Sequence, residues 1–274
     1  MLNNYIYYIN GKWIESNKAL IPFNDSGFLY GDGLFETLRF DNKIFFSKDK
    51  HISRILSSLD IIKISHNFDN KLITQILNKI VKKNSLNDGL VKIIITRGNI
   101  INKKITPCIY ASIKPLYDLP KKPVKVVLYS ENKFPIIRFS PAIKSLNYLG
   151  NMLARTEAEK LGYFEPLFYN KDKIITECAI RNIFFIKGNL LLTPSLDIGV
   201  LPGVMRGFII NLAKKNNLNI SECHINKNSL NSMDEAFLSS TGVGLIPCYW
   251  DGWKSDFKIS KILKKELLKS INNS

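Results

Sequence analysis

Cysteine is scarce: four in 274 residues, at Cys108, Cys178, Cys223 and Cys248, with no Cys-x-x-Cys pair. That scatter argues against a zinc site or a disulfide framework and suits a reducing cytoplasm. Long apolar runs are also missing. None approaches the ~18 residues of a membrane span, so an integral membrane protein is not expected. The start, Met1-Leu2-Asn3-Asn4-Tyr5, lacks a basic segment followed by an apolar one, and no secretory signal is visible. No internal repeat or low-complexity tract stands out.

Arginine is the other shortage. Lys+Arg total 39 against 23 Asp+Glu, a net charge of +16, yet only seven are Arg and 32 are Lys. Phosphate and base-edge recognition favours the planar arginine fork. The lysines are spread beside Asn and Ile. From Lys254 to Lys269 they alternate with Ile259, Ile262, Leu263 and Leu267 at helical spacing, which makes a solvated face. The surplus reads as surface composition, and a nucleic-acid partner is not expected.

What is present suffices for a folded protein. With 45% apolar and 23% charged residues the chain can bury a core. Tyr5–Ile9 and Lys12–Ile14 flank Asn10-Gly11, a hairpin signal because both turn positions favour positive φ. Leu34–Phe40 and Ile44–Phe46 form a second pair. Lys50–Leu59 and Asp69–Lys83 have helical periodicity, and Val91–Thr96 and Cys108–Ile113 read as strands. Three prolines in Pro115–Pro123 mark a connector at about 114–123. The expected division is a small N-terminal α/β domain over 1–118 and a larger, β-rich C-terminal domain with helices over 119–274. The class is α+β. Beyond the connector, Val124–Tyr129 is an expected strand, and Asn147–Leu161 an expected helix ended by Gly162. Strands are expected near 166–169, 173–177, 182–186 and 189–193, then a helix over Val204–Asn216.

Four segments carry candidate chemistry. Gly203-Val204-Met205-Arg206 follows Pro202 and opens a helix, where free N–H groups and the positive dipole end favour an anion. Ser239-Ser240-Thr241-Gly242-Val243-Gly244 follows a strand and offers hydroxyls and backbone N–H groups, without the Gly-Lys-Ser/Thr of a P-loop. Lys144 precedes a helix among small and apolar neighbours, a setting for a nucleophilic amine. Glu177 ends an apolar strand, where a buried carboxylate needs a cationic partner.

In this order, with Tyr30-Gly31-Asp32-Gly33-Leu34-Phe35-Glu36-Thr37, His51-Ile52-Ser53-Arg54 and Thr176-Glu177-Cys178-Ala179-Ile180-Arg181-Asn182, the chain resembles the class IV aminotransferases. These are pyridoxal-phosphate enzymes of fold type IV: branched-chain aminotransferases, D-amino-acid aminotransferases and 4-amino-4-deoxychorismate lyases. The resemblance implies pyridoxal 5′-phosphate as cofactor, a cytoplasmic homodimer, and amino-acid and 2-oxo-acid substrates. It implies that Lys144 forms the Schiff base and shuttles a proton, for which its amine must be neutral. Glu177 would face the pyridine nitrogen and Tyr148 the ring hydroxyl. Arg54, the N–H groups of Val204 and Met205, and Thr241 would hold the phosphate. Arg97 is the expected carboxylate ligand, with Tyr30, Phe35, Ser240 and Gly242 in the substrate pocket.

The reaction stays open between two outcomes of one site. Transamination needs no residue beyond the shared set and is the leading expectation. Thr37 matches the lyases, whose hydroxyl there helps protonate a departing pyruvate, whereas Ser240 stands where their pattern has Asn. A non-catalytic basic binding protein is the remote third reading.

Overall fold

A computed structural model describes residues 4–101 and 104–272. The chain divides into two compact units. One comprises the residues up to Asp118 together with Ile143–Asn147; the other comprises Leu119–Ala142 and the chain from Tyr148 onward. The α+β class expected from the sequence is the class observed.

The first unit has strands β1 (Ile6–Ile9), β2 (Lys12–Glu15), β3 (Gly33–Asp41), β4 (Ile44–Phe45), β5 (Gly89–Ile101) and β6 (Lys104–Pro115). They form an antiparallel sheet in the order β2-β1-β6-β5-β3-β4. Asn10 and Gly11 take the positive φ values, 44° and 89°, that the first hairpin needs. Helices α2 (Lys48–Ile61) and α3 (Asn70–Asn84) turn Ile52, Ile55, Leu59, Ile73, Leu77 and Ile80 inward. Each such burial contributes about 1.5–3 kcal/mol. Side chains alternate along β3, so Leu34, Glu36, Leu38 and Phe40 share one face while Phe35 and Thr37 share the other.

A short helix not foreseen from the sequence, α1 (Ser26–Tyr30), lies on a loop pinned by Asp25. That carboxylate is fully buried and accepts hydrogen bonds from Gly27 N (2.7 Å), Thr96 Oγ1 (2.8 Å) and Tyr110 Oη (2.6 Å). Burial, then the bond to Asp25, pushes the Tyr110 phenol well above its ordinary pKa. Around this anchor Leu20, Phe23, Phe28 and Tyr30 stand exposed, Phe23 at 80%.

Ile143–Asn147 belongs to the first unit through backbone pairing with the start of β3. Phe35 N donates to Lys144 O (2.9 Å), and Leu146 N donates to Gly33 O (3.0 Å). A Pro-rich connector says where a chain leaves a domain but carries no sign of such a return.

The second unit is built on β7 (Val124–Ser130), β8 (Glu165–Tyr169), β9 (Ile175–Cys178), β10 (Asn182–Lys187), β11 (Leu190–Pro194), β12 (Asn219–Cys223), β13 (Glu235–Ser240) and β14 (Gly244–Tyr249). The sheet is mixed, in the order β12-β11-β10-β13-β14-β7-β8-β9. Phe184 and Phe237 are paired across β10 and β13 and stack at 5.0 Å between ring centroids, both fully buried. The helices are α4 (Leu149–Lys160), α5 (Val204–Lys215) and α6 (Lys258–Asn272). Buried Glu235 closes the start of α6 by accepting from Ile259 N and Ser260 N, each 2.7 Å. Among the described residues no helix is long and apolar enough to cross a membrane.

Candidate active site

In the first unit the expected residues fall on two faces of β3. On the outer face Lys144 Nζ lies 4.4 Å from the centroid of the Phe35 ring, and Lys92 Nζ approaches the same ring at 4.5 Å. Thr37 shares that face and pairs in register with Lys92. Desolvation, then the charge of Lys114, lowers the Lys92 ammonium from its ordinary pKa. Nothing marked Lys92 among 32 lysines; only the pairing of β3 with β5 sets it beside Thr37. Tyr30, the last residue of α1, is largely exposed.

The inner face holds Arg54. The i, i+3 spacing of His51 and Arg54 turns both side chains of α2 toward Glu36. Arg54 Nε donates to Glu36 Oε1 at 2.6 Å and Nη2 donates to Oε2 at 2.8 Å. His51 Nδ1 lies 2.8 Å from Oε2, and because a carboxylate only accepts, the proton sits on Nδ1. Burial alone would raise the Glu36 pKa. The Arg54 charge and hydrogen bonds from His51 and Arg54 overcome it and hold the group at about 2. Glu36 lies inside a motif but carries no expected role, because its partners His51 and Arg54 meet it only once α2 is placed.

Arg97, the expected carboxylate ligand, is engaged within the first unit. Its Nε donates to Asp32 Oδ2 (2.6 Å) and its Nη2 to Oδ1 (3.1 Å). Nη1 donates to Lys63 O and Nη2 to Ile62 O, both at 3.0 Å. Four hydrogen bonds tie this guanidinium to the loop before β3 and to the end of α2.

In the second unit Glu177 lies on β9 beside Arg138, whose Nη1 donates to Glu177 Oε1. Arg138 also donates to Glu131 Oε1 through Nε (2.9 Å) and Nη2 (2.6 Å), and to Thr176 Oγ1 (3.1 Å). Burial opposes the charge on Arg138, but the two carboxylates outweigh it and raise the guanidinium pKa. Asn182 Nδ2 donates to Leu201 O at 2.9 Å and to Glu177 Oε2 at 3.3 Å. The Leu201 N–H also reaches Glu177 Oε2, at 3.4 Å. Glu177 thus has the cationic partner its position required. Arg138 lies outside the motifs, and Asn182, although it lies within one, carries no expected role.

Helix α5 opens at Val204, and no side chain caps its N-cap residue Gly203. A Cβ on Gly203 would lie 2.1 Å from Asn182 Oδ1, so any larger residue there would have to displace the Asn182 amide. Val204 and Met205 are buried in the first turn, whereas Arg206 turns away, donating to Pro194 O (3.0 Å) and Glu222 Oε2 (2.7 Å). Ser240 ends β13, and Thr241 and Gly242 form the turn into β14. Tyr148 immediately precedes α4. A helix start without a side-chain cap suits a phosphate, and a guanidinium-paired carboxylate suits a protonated ring nitrogen. The donor set of this unit therefore fits pyridoxal phosphate.

Comparison with known proteins agrees with that fit. Residues 33–249 match the family model described as amino-transferase class IV. Aminodeoxychorismate lyase of Bacillus subtilis is 32% identical over 252 residues, 88% of this chain and 84% of that one. D-alanine aminotransferase of Listeria monocytogenes serotype 4b is 31% identical over 251 residues, 87% and 85% of the two chains. In fold, the chain is similar to the branched-chain aminotransferase of Thermoproteus uzoniensis, with TM-score 0.89 at 21% identity over 98% of this chain and 95% of that one. The chain is a fold-type-IV enzyme and belongs to the class IV aminotransferase family, whose members depend on pyridoxal phosphate.

Proposed function

We propose that the protein binds pyridoxal 5′-phosphate and transfers an amino group from an amino acid to a 2-oxo acid. The observation that carries this is the pairing, within one unit, of a braced carboxylate with a helix start open to an anion. When bound, the cofactor supplies an aldehyde carbon that takes up an amine and a ring that accepts electrons. Lys144 would be the amine that holds that carbon and the base that moves the proton of the amino acid's Cα. Glu177 would keep the ring nitrogen protonated, and Tyr148 would donate to the ring hydroxyl. Arg54, fixed by Glu36 and His51, would bind the phosphate with the N–H groups of Val204 and Met205 and with Thr241. Lys92, rather than Arg97, is the cation we assign to the substrate carboxylate. Tyr30 and Phe35 in the first unit, and Ser240 and Gly242 in the second, are the further residues we assign to the substrate.

The second reading is the lyase, in which pyruvate is eliminated to leave 4-aminobenzoate. It is favoured by Thr37, set opposite Lys92 where a hydroxyl can deliver a proton, and by the likeness to the Bacillus subtilis lyase. A homodimer is supported by the exposed apolar loop of Leu20, Phe23, Phe28 and Tyr30. Four free thiols suit the cytoplasm.

The purified protein should be yellow, and Lys144→Ala should remove the colour. Mixing the loaded enzyme with L-Glu, L-Leu or D-Ala should shift its absorbance to the pyridoxamine band. Pyruvate released from aminodeoxychorismate without an amino acceptor would select the lyase instead. A colourless protein that cannot be reconstituted would sink both readings and leave the basic binding protein.

A further inference from the structure

Asn182 opens β10 and is buried, at 6% exposure. Its amide meets three separate elements. Nδ2 donates to the Glu177 carboxylate at the end of β9 and to Leu201 O in the segment leading into α5. Oδ1 lies against Gly203 so closely that a Cβ there, 2.1 Å away, would push the amide out of place. The Leu201 N–H in turn reaches Glu177, closing a ring of contacts among carboxylate, segment and helix start.

The two ends of that ring are the groups assigned above to opposite ends of one cofactor. Glu177 serves the ring nitrogen, and the first turn of α5 serves the phosphate. The covalent frame of a phosphorylated pyridine fixes the distance between those ends, so a protein that binds both must hold its own groups at one matching separation. Arg138 cannot supply this constraint, because its partners are Glu131, Thr176 and Glu177 and none belongs to the α5 segment. Asn182 contacts both.

We propose that Asn182 is a positioning residue that sets the spacing between the Glu177 carboxylate and the start of α5, so that one rigid ligand engages both at once. The inference rests on the pyridoxal-phosphate reading. Its signature is a coupling: loosening the brace should weaken a ligand that spans both groups more than a ligand that touches only one.

The experiment compares wild type with Asn182→Ala in fluorescence titrations of the apoprotein with pyridoxal phosphate, and with pyridoxal and inorganic phosphate separately. Losing two hydrogen bonds of ~1 kcal/mol each should weaken pyridoxal phosphate by about tenfold or more. Pyridoxal alone and phosphate alone should each change by less than about threefold, since neither needs the spacing. The phosphorus resonance of the bound cofactor should also move, a readout that mere loss of fold stability would not shift. If Asn182→Ala fails to fold, Gly203→Ala tests the same contact from the helix side and should give the same ranking. Equal weakening of all three ligands, or unchanged affinity for pyridoxal phosphate in a folded variant, overturns the positioning role. A wild type that binds no pyridoxal phosphate overturns the function proposed above instead.

Discussion

Replacing Glu36 by Gln would test whether the buried cluster behind Arg54 works as charge or as packing. Gln keeps the shape but removes the negative charge and turns an amide donor toward Arg54 or His51. The carboxylate is held at about 2 against an ordinary 4.5. At ~1.4 kcal/mol per pH unit, that difference amounts to about 3 kcal/mol, in the range for breaking a buried ion pair. The pKa is depressed in the fold, so this stability is fully present above the unfolded value and is lost as pH falls through the folded one. The window is therefore 4.5 down to about 2. Urea unfolding followed by circular dichroism should find Glu36→Gln about 3 kcal/mol less stable than wild type near neutral pH. At about pH 3.5 the unfolded wild type is largely protonated while the native state is not, so the gap should narrow by roughly 1.4 kcal/mol. A gap under about 1 kcal/mol at neutral pH, or one that does not narrow with acid, would refute the electrostatic account.

Two more perturbations separate bracing from binding. Arg97→Met should lower stability by about 1–2 kcal/mol, because it strips hydrogen bonds from Asp32 and the end of α2, and thermal melts read this directly. Lys92→Met should leave the melting temperature within a few degrees of wild type yet raise KM for the amino acid about tenfold or more; the reverse pattern would restore Arg97 as the carboxylate ligand. Gly98→Ala should destabilise by more than about 2 kcal/mol, since φ there is +76° and a Cβ would strike the Thr106 carbonyl, and a melt equal to wild type would show that the β5–β6 bulge yields.

The elements that local chemistry dictates were legible in the sequence. Asn10-Gly11 forces a hairpin, and Ile73, Ile76, Leu77 and Ile80 trace the stripe that α3 buries. The candidate anion sites at Gly203 and Thr241 were legible because helix starts and strand-end turns have residue signatures. Groups that act through distant partners were not. Glu36 and Arg54 lie 18 positions apart, Arg138 and Glu177 lie 39 apart, and each pair becomes visible only when separate elements pack. The Asp32 partner of Arg97 was hidden for the same reason, since a motif match gives a side chain its place along the chain but not its neighbours. No strand was expected at Gly244–Tyr249, which becomes a central strand only through its pairing with β13 and β7.

The Asp25 anchor has a consequence for association. A loop bearing Phe23, Phe28 and Tyr30 on a mobile backbone would lose about 1–2 kcal/mol per residue in ordering when a second chain closed over it. Three buried hydrogen bonds to one carboxylate fix part of that loop during folding. A second chain docking there, as proposed above, would meet an apolar loop already tied down, so docking should need little rearrangement and differences in affinity should lie in how slowly that chain is released.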